Sequence, residues 1–258
     1  MTLPDGPLTD VLVAERAARA AADVLLRLRA QGELTGRALG DAGDAAAQQA
    51  ILASLGADRP GDIVFSEEAV DDPRRLSADR VWIVDPLDGT REYGEVPRHD
   101  WAVHVALWEG GDLTAAAVAL PGLDEILLTD PAPALPAHDG GPLRVAVSRS
   151  RPPAEASAVA EALGAELVPL GSAGYKTVAV ARGEVDAYVH SGGQYQWDSA
   201  APVAVAQAAG LFTSRLDGSP LTYNHADPWL PDLVVCRVEL AERVLALLKD
   251  LVLPEDPA

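Results

Sequence analysis

Val81-Trp82-Ile83-Val84-Asp85-Pro86-Leu87-Asp88-Gly89-Thr90 is the stretch from which the rest of the chain can be read. Four apolar residues run without polar alternation, the pattern of a strand buried on both faces. Asp85 follows at its end. Pro86 has no N–H to donate and is expected to stop the ladder, while Gly89 allows a tight turn. Asp85 and Asp88 can then reach one hard cation, with the Leu87 carbonyl between them as a third oxygen. Magnesium takes oxygen ligands in tight octahedral geometry and keeps water and substrate phosphate in its shell. Backbone N–H groups at Gly89 and Thr90 can receive a phosphate where a helix or nest begins. The plain alternative is a polar turn after a strand, with Asp88-Gly89 as its turn dipeptide.

Two further acidic segments bear on that choice. Ile63-Val64-Phe65 is a second short apolar strand, followed by Ser66-Glu67-Glu68. If both strands are neighbours in one sheet, Glu67 comes beside Asp85; otherwise Glu67-Glu68 is a solvated loop. In Trp197-Asp198-Ser199-Ala200-Ala201-Pro202, Asp198 is expected to cap the Ala-rich helix that follows, and a capping Asp can also face a metal.

In order and spacing, Glu67-Glu68, Trp82 to Thr90 and Trp197 to Ala201 resemble the inositol monophosphatase superfamily, whose members are magnesium-dependent, lithium-sensitive phosphatases. The resemblance covers nearly the whole chain. It implies a layered α/β fold, a five-layer αβαβα sandwich of the inositol monophosphatase and fructose-1,6-bisphosphatase type, with the site between two α+β halves. It also implies two to three Mg2+ ions. Glu67, Asp85 and the Leu87 carbonyl would hold the first, Asp85, Asp88 and Asp198 the second, and a weaker third would share Glu67. Thr90 would orient the attacking water with an upstream Asp. Asp44 is the better aligned acid for that role, because Ala47, Gln48 and Ile51 follow it as the family's helix would. The usual Thr of a V-T-x-A-D pattern is absent from Leu39-Gly40-Asp41-Ala42-Gly43-Asp44.

Arg91-Glu92-Tyr93 resembles the segment that follows Asp-Gly-Thr in the 3′(2′),5′-bisphosphate nucleotidase branch, and Gly171-Ser172-Ala173-Gly174-Tyr175-Lys176 resembles that branch's G-[SA]-x-K region. The resemblance therefore implies removal of the 3′-phosphate from 3′-phosphoadenosine 5′-phosphate, with its sulfated form as a further substrate, and a place in sulfur assimilation. Gly89, Thr90, Arg91, Gly171, Ser172, Gly174 and Lys176 are the implied substrate contacts. Lys176 would meet the second phosphate as a point charge; its plain alternative is an exposed lysine in the first turn of a helix. Ser148-Arg149-Ser150 matches a further nucleotidase segment, but Arg151 replaces the usual His, so no base-recognition residue is assigned. The competing readings are an inositol monophosphatase or fructose-1,6-bisphosphatase-like sugar phosphatase, and a catalytically silent metal or nucleotide sensor.

Composition sets the outer bounds. At 258 residues and 48% hydrophobic content the chain can bury a substantial core. The formal net charge of −19 excludes nucleic-acid and anionic-membrane partners, which bind through basic patches. It also means that bound cations, helped by Arg91 or Lys176, must reverse the local field before an anionic substrate can bind. One cysteine, Cys236 in an apolar run, reads as an inert buried thiol in a reducing cytoplasm. No basic and apolar leader and no ~18-residue apolar run points to export or a membrane span. The five histidines show no metal-ligand spacing; His104 reads as structural, and His190 as near the pocket. Monomer and homodimer both stay open.

Periodicity predicts helices at 8–30, 44–55, 153–163, 173–182, 199–209 and 239–251. Strands are expected near 62–66, 80–85, 102–108, 113–120, 124–129, 143–148, 166–170, 185–190, 211–216 and 233–237. Glu109-Gly110-Gly111-Asp112 signals a hairpin. The breaker-rich segment Pro131 to Gly141 divides the chain into halves at 1–138 and 139–258, and Pro254 to Ala258 is expected to be loose.

Overall fold

The computed structural model of the protein describes residues 8–251, so the expected loose tail lies outside the described residues. The chain runs α1 (Asp10–Gln31), α2 (Gly36–Asp58), β1 (Ile63–Ser66), β2 (Arg80–Asp88), α3 (Thr90–Gly94), β3 (Ala102–Glu109), β4 (Asp112–Leu120) and β5 (Glu125–Leu128). It continues with β6 (Arg144–Ser148), α4 (Ala154–Leu163), β7 (Glu166–Leu170), α5 (Ala173–Ala181), β8 (Ala187–Tyr195), α6 (Gln196–Ala208), β9 (Phe212–Ser214), β10 (Trp229–Cys236) and α7 (Val238–Leu251). The first sheet has the order β1-β2-β3-β4-β5 and the second β7-β6-β8-β10-β9.

Three cores separate five layers. Alternate residues of β2 face opposite ways, as an uninterrupted apolar strand requires. Trp82 and Val84 meet Val13, Ala17 and Leu25 of α1 and Ile51 of α2. Val81 and Ile83 face α5 and α6, which also pack on the second sheet through Tyr188, Leu233 and Val235. The outer face of the second sheet buries Val145, Val189 and Val234 against Val159 of α4 and Val244 of α7. The order is thus α1/α2, sheet, α5/α6, sheet, α4/α7. No helix among the described residues is long and apolar enough to cross a membrane.

The hairpin joins β3 to β4 with Gly110 and Gly111 both at positive φ. Several boundaries differ from expectation. β2 does not stop at Pro86 but resumes as far as Asp88; its pairing with β3 skips from Asp85↔His104 to Asp88↔Ala102, because Pro86 can give no ladder hydrogen bond. β8 extends to Tyr195 and β10 starts at Trp229, with Pro231 in the irregularity between Leu230 and Asp232, where a missing N–H is tolerated. α6 starts at Gln196, so Asp198 lies inside its first turn rather than at its cap. α2 starts at Gly36 and not near residue 44. Its two extra turns have no side-chain cap at Thr35; they rest instead on α3, where Gly36 lies under Gly94 and Gly40 under Thr90.

Candidate active site

The two short strands are parallel neighbours, with Phe65 beside Ile83 and Ser66 beside Val84. That register carries Glu67 to the end of β2, where its backbone N–H donates to the Val84 carbonyl at 3.4 Å. Asp85 is fully buried, and its Oδ1 accepts from the Leu87 N–H at 3.0 Å. Its Oδ2 is buried with no hydrogen-bond partner. Asp198 enters from α6, its Oδ2 accepting from the Tyr195 N–H at 2.6 Å. Burial, then Glu67 and Asp88, hold the Asp85 carboxyl well above the usual carboxylate range. Burial and the Asp88 charge push Asp198 up to about 8 and Glu67 up to about 7. Acids from three chain segments thus act on one another in one space, with the buried Lys176 as the nearby cation. An orphaned buried carboxylate oxygen and mutually destabilised acids are the donor set a hard divalent cation relieves. Asp85 and Asp88 lie close enough, with His104, to share one ion, and Glu67 and Asp198 bear on them through their charges.

Asp88 is already engaged. Its Oδ2 accepts from the Ser172 hydroxyl at 2.5 Å and the Gly174 N–H at 2.6 Å, and its Oδ1 from the Ala173 N–H at 3.2 Å. The N-terminus of α5 therefore grips a carboxylate of the first sheet. Ser172 and Gly174, expected to contact substrate, spend these donors on Asp88. Gly171 likewise donates its N–H to Asp100 at 2.6 Å. Lys176 is not an exposed lysine: it is 5% exposed, and its Nζ donates to the Ser172 and Gly171 carbonyls at 2.6 and 3.1 Å. Burial lowers its pKa to about 8.

Gly89 sits at φ 86°, the left-handed conformation a side chain would resist, and turns the chain into α3. Thr90 begins that helix, and its hydroxyl donates to the Leu87 carbonyl at 3.2 Å. The Asp44 carboxyl lies on the buried face of α2, within hydrogen-bonding reach of the same hydroxyl, and burial followed by the Glu68 charge raises it to about 7. A Cβ at Gly40 would lie 2.5 Å from the Thr90 methyl, so only glycine lets α2 bring Asp44 this close. The glycines at 36, 40 and 43 are the sequence signal for that contact.

A cleft of ≈ 510 Å³ opens beside these residues, lined by Arg91, Ser148, Arg149, Arg151, Ser172 and Lys176 among others. Arg91 is exposed and pairs with Glu95 at 3.1 Å. Arg149 bridges Glu92 at 2.6 Å and Glu95 at 3.0 Å, tying the second sheet's loop to α3. His104, read as structural, stands among the acids: one ligand atom from each of Asp85, Asp88 and His104 lies within 4.8 Å of the others. Period-two reading of β3 places its side chain in a core, but only the β2 register could have put it opposite Asp85. Cys236 is buried, and burial raises its thiol to about 12, leaving it inert at neutral pH.

A model of the inositol monophosphatase family matches residues 8–252. The chain is 50% identical over 256 residues to a 3′-phosphoadenosine 5′-phosphate phosphatase of Mycobacterium leprae, covering 94% of each protein. It is 31% identical over 203 residues to the 3′(2′),5′-bisphosphate nucleotidase CysQ of Escherichia coli, covering 73% of this chain and 81% of that one. Among solved structures, CysQ from Bacteroides thetaiotaomicron superposes with a TM-score of 0.77 at 25% identity, over 88% of this chain and 97% of the other.

Proposed function

The chain belongs to the inositol monophosphatase family, and from that premise we propose that it is a hydrolase that removes the 3′-phosphate from 3′-phosphoadenosine 5′-phosphate, and from its sulfated form, in sulfur assimilation. The observation that carries this reading is the convergence of Glu67, Asp85, Asp88 and Asp198 beside the Asp44–Thr90 pair. The substrate class rests on the phosphatase and nucleotidase relatives, which match along most of this chain.

Two to three Mg2+ ions are the proposed cofactor, held by Glu67, Asp85, Asp88, Asp198 and the Leu87 carbonyl. When bound, they supply charge neutralisation of the phosphate oxygens, water activation and stabilisation of the leaving oxygen. The first three acids come from the half we place at 1–138, and Asp198 from the half at 139–258. Around them the chain's own groups bind and orient. The N–H groups at Gly89 and Thr90 face the phosphate being cleaved. Thr90 has one proton and two acceptors in reach, the Leu87 carbonyl and Asp44. With its proton directed to Asp44, the Thr90 hydroxyl would offer a lone pair to the attacking water. Asp44, raised to about 7, would take the hydroxyl's own proton near neutral pH as Thr90 accepts one from the water. Lys176 has three N–H donors and spends two on carbonyls; the third, with Arg91, Arg149 and Arg151, meets the second phosphate in the cleft. Gly171, Ser172 and Gly174 shape its wall.

Removing the proton acceptor should leave binding largely intact. Asp44→Asn is expected to lower kcat by ~10²–10⁴-fold with a smaller change in KM, and Thr90→Val to behave alike. Steady-state kinetics check this; a loss confined to KM would remove both from the water-orienting role.

Lithium is expected to inhibit by competing for the same oxygens. We place the protein in the cytoplasm on its single, buried thiol, as a monomer or a homodimer. The test is phosphate release with Mg2+ from 3′-phosphoadenosine 5′-phosphate, inositol 1-phosphate and fructose 1,6-bisphosphate, with and without lithium. The expected result is a nucleotide preference quenched by lithium. A preference for inositol or sugar phosphate would overturn the substrate assignment while leaving the metal site in place.

A further inference from the structure

His104 is fully buried and touches both β2, which carries Asp85 and Asp88, and the start of α6, which carries Asp198. Its Cα is paired with that of Asp85 across β2 and β3. Its Nε2 is 3.4 Å from Asp88 Oδ2. Its Nδ1 is 3.1 Å from the carbonyl oxygen of Trp197, the residue before Asp198. On the remaining side it meets Gly174, the residue whose N–H holds Asp88; any Cβ at position 174 would collide with Nε2.

We propose that His104 is a positioning residue that sets Asp198, which arrives from the second half of the chain, in register with Asp85 and Asp88 of the first. A carbonyl partner for Nδ1 makes that nitrogen the protonated one, since a carbonyl can only accept. The bond therefore runs from a strand of the first sheet to the opening turn of α6, across 93 residues of sequence. Asp198 itself has only the Tyr195 N–H to hold it on its own side. Without the imidazole, the first turn of α6 loses its one side-chain hydrogen bond to β3. Nε2 takes no direct part: it has no hydrogen-bond partner, and Asp88 Oδ2 already accepts two hydrogen bonds.

This inference rests on the metal-site reading but not on the identity of the substrate, so its test uses metal alone. Three variants of the full chain separate the roles. His104→Leu fills the space and removes the donor. His104→Asn places an amide N–H where Nδ1 stands. His104→Gln carries its amide one atom further and misses the Trp197 carbonyl. Mn2+ affinity is read by calorimetry and Mg2+ affinity by thermal shift, with circular dichroism to check folding. Losing a partner of this kind typically costs ~10–100-fold in metal affinity, and that loss is expected for Leu and Gln, with Asn staying in the wild-type range. If Leu does not fold, the contrast between Asn and Gln still decides. Equal weakening by Asn and Gln would overturn the proposal by pointing to direct ligation through Nε2. Wild-type affinity in Leu or Gln would overturn it as well. A wild-type protein with no metal response would overturn both this role and the metal site.

Discussion

Asp85→Asn is expected to leave a folded protein with almost no turnover. Asp85 is the one carboxylate assigned to both principal ions, and it lies fully buried with Oδ2 unpartnered. Removing a single electrostatic stabiliser costs on the order of 10²–10³ in rate, and a ligand shared by two ions should cost more. The same substitution should stabilise the metal-free protein, because it removes a buried acid whose neighbours Glu67, Asp88 and Asp198 all disfavour its charge. Opposite signs in the two readouts separate a functional ligand from a structural residue, whose loss would lower both. Phosphate release and thermal melts without metal check this. Activity within tenfold of wild type would remove Asp85 from the site.

Magnesium should change both the stability of the wild-type protein and the way stability depends on pH. The acids Asp44, Glu67 and Asp198 have folded values raised to about 7, about 7 and about 8, against ordinary values near 4. For a raised acid the folded state holds more protons than the unfolded one. Its stabilising share is complete below the unfolded value and is lost as pH rises through the folded value. The metal-free protein should therefore lose Tm from about pH 4 to about pH 8 on account of this cluster. Bound Mg2+ holds the carboxylates ionised and offsets that loss, so the gain from metal should grow with pH. At a hundredfold excess over Kd, linkage contributes about 2.7 kcal/mol, or roughly 5–10 °C for a chain of this size. Differential scanning fluorimetry at pH 5, 6.5 and 8, with EDTA or Mg2+, checks the prediction. A metal shift that is absent or that shrinks as pH rises would contradict it.

The local run at residues 81–90 contained the buried strand, the acid pair and the glycine turn, because each depends on neighbours in sequence. The unbroken apolar run Val81–Val84, with no polar alternation, sufficed to place both faces of β2 in cores. The role of His104 was not legible, since an imidazole in a strand says nothing of what a register across β2 and a helix from the second sheet will set beside it. The start of α2 was missed for a similar reason. Its first turns carry the glycines that local propensity counts against a helix, and the compensation comes from α3 packed against them. Lys176 reads as a surface residue by its type, yet two carbonyls at the head of α5 satisfy it inside the cleft.

The middle pair of helices, α5 and α6, shares one continuous core with both sheets, joining Val81, Ile83 and Ala106 to Val178, Val203 and Val205 and on to Leu233 and Val235. No plane passes between the sheets without wetting that core, and each large side chain exposed would cost about 1.5–3 kcal/mol. A jaw-like hinge is therefore closed to this molecule. The way into the cleft runs past its rim, where Arg149 ties the second sheet's loop to Glu92 and Glu95.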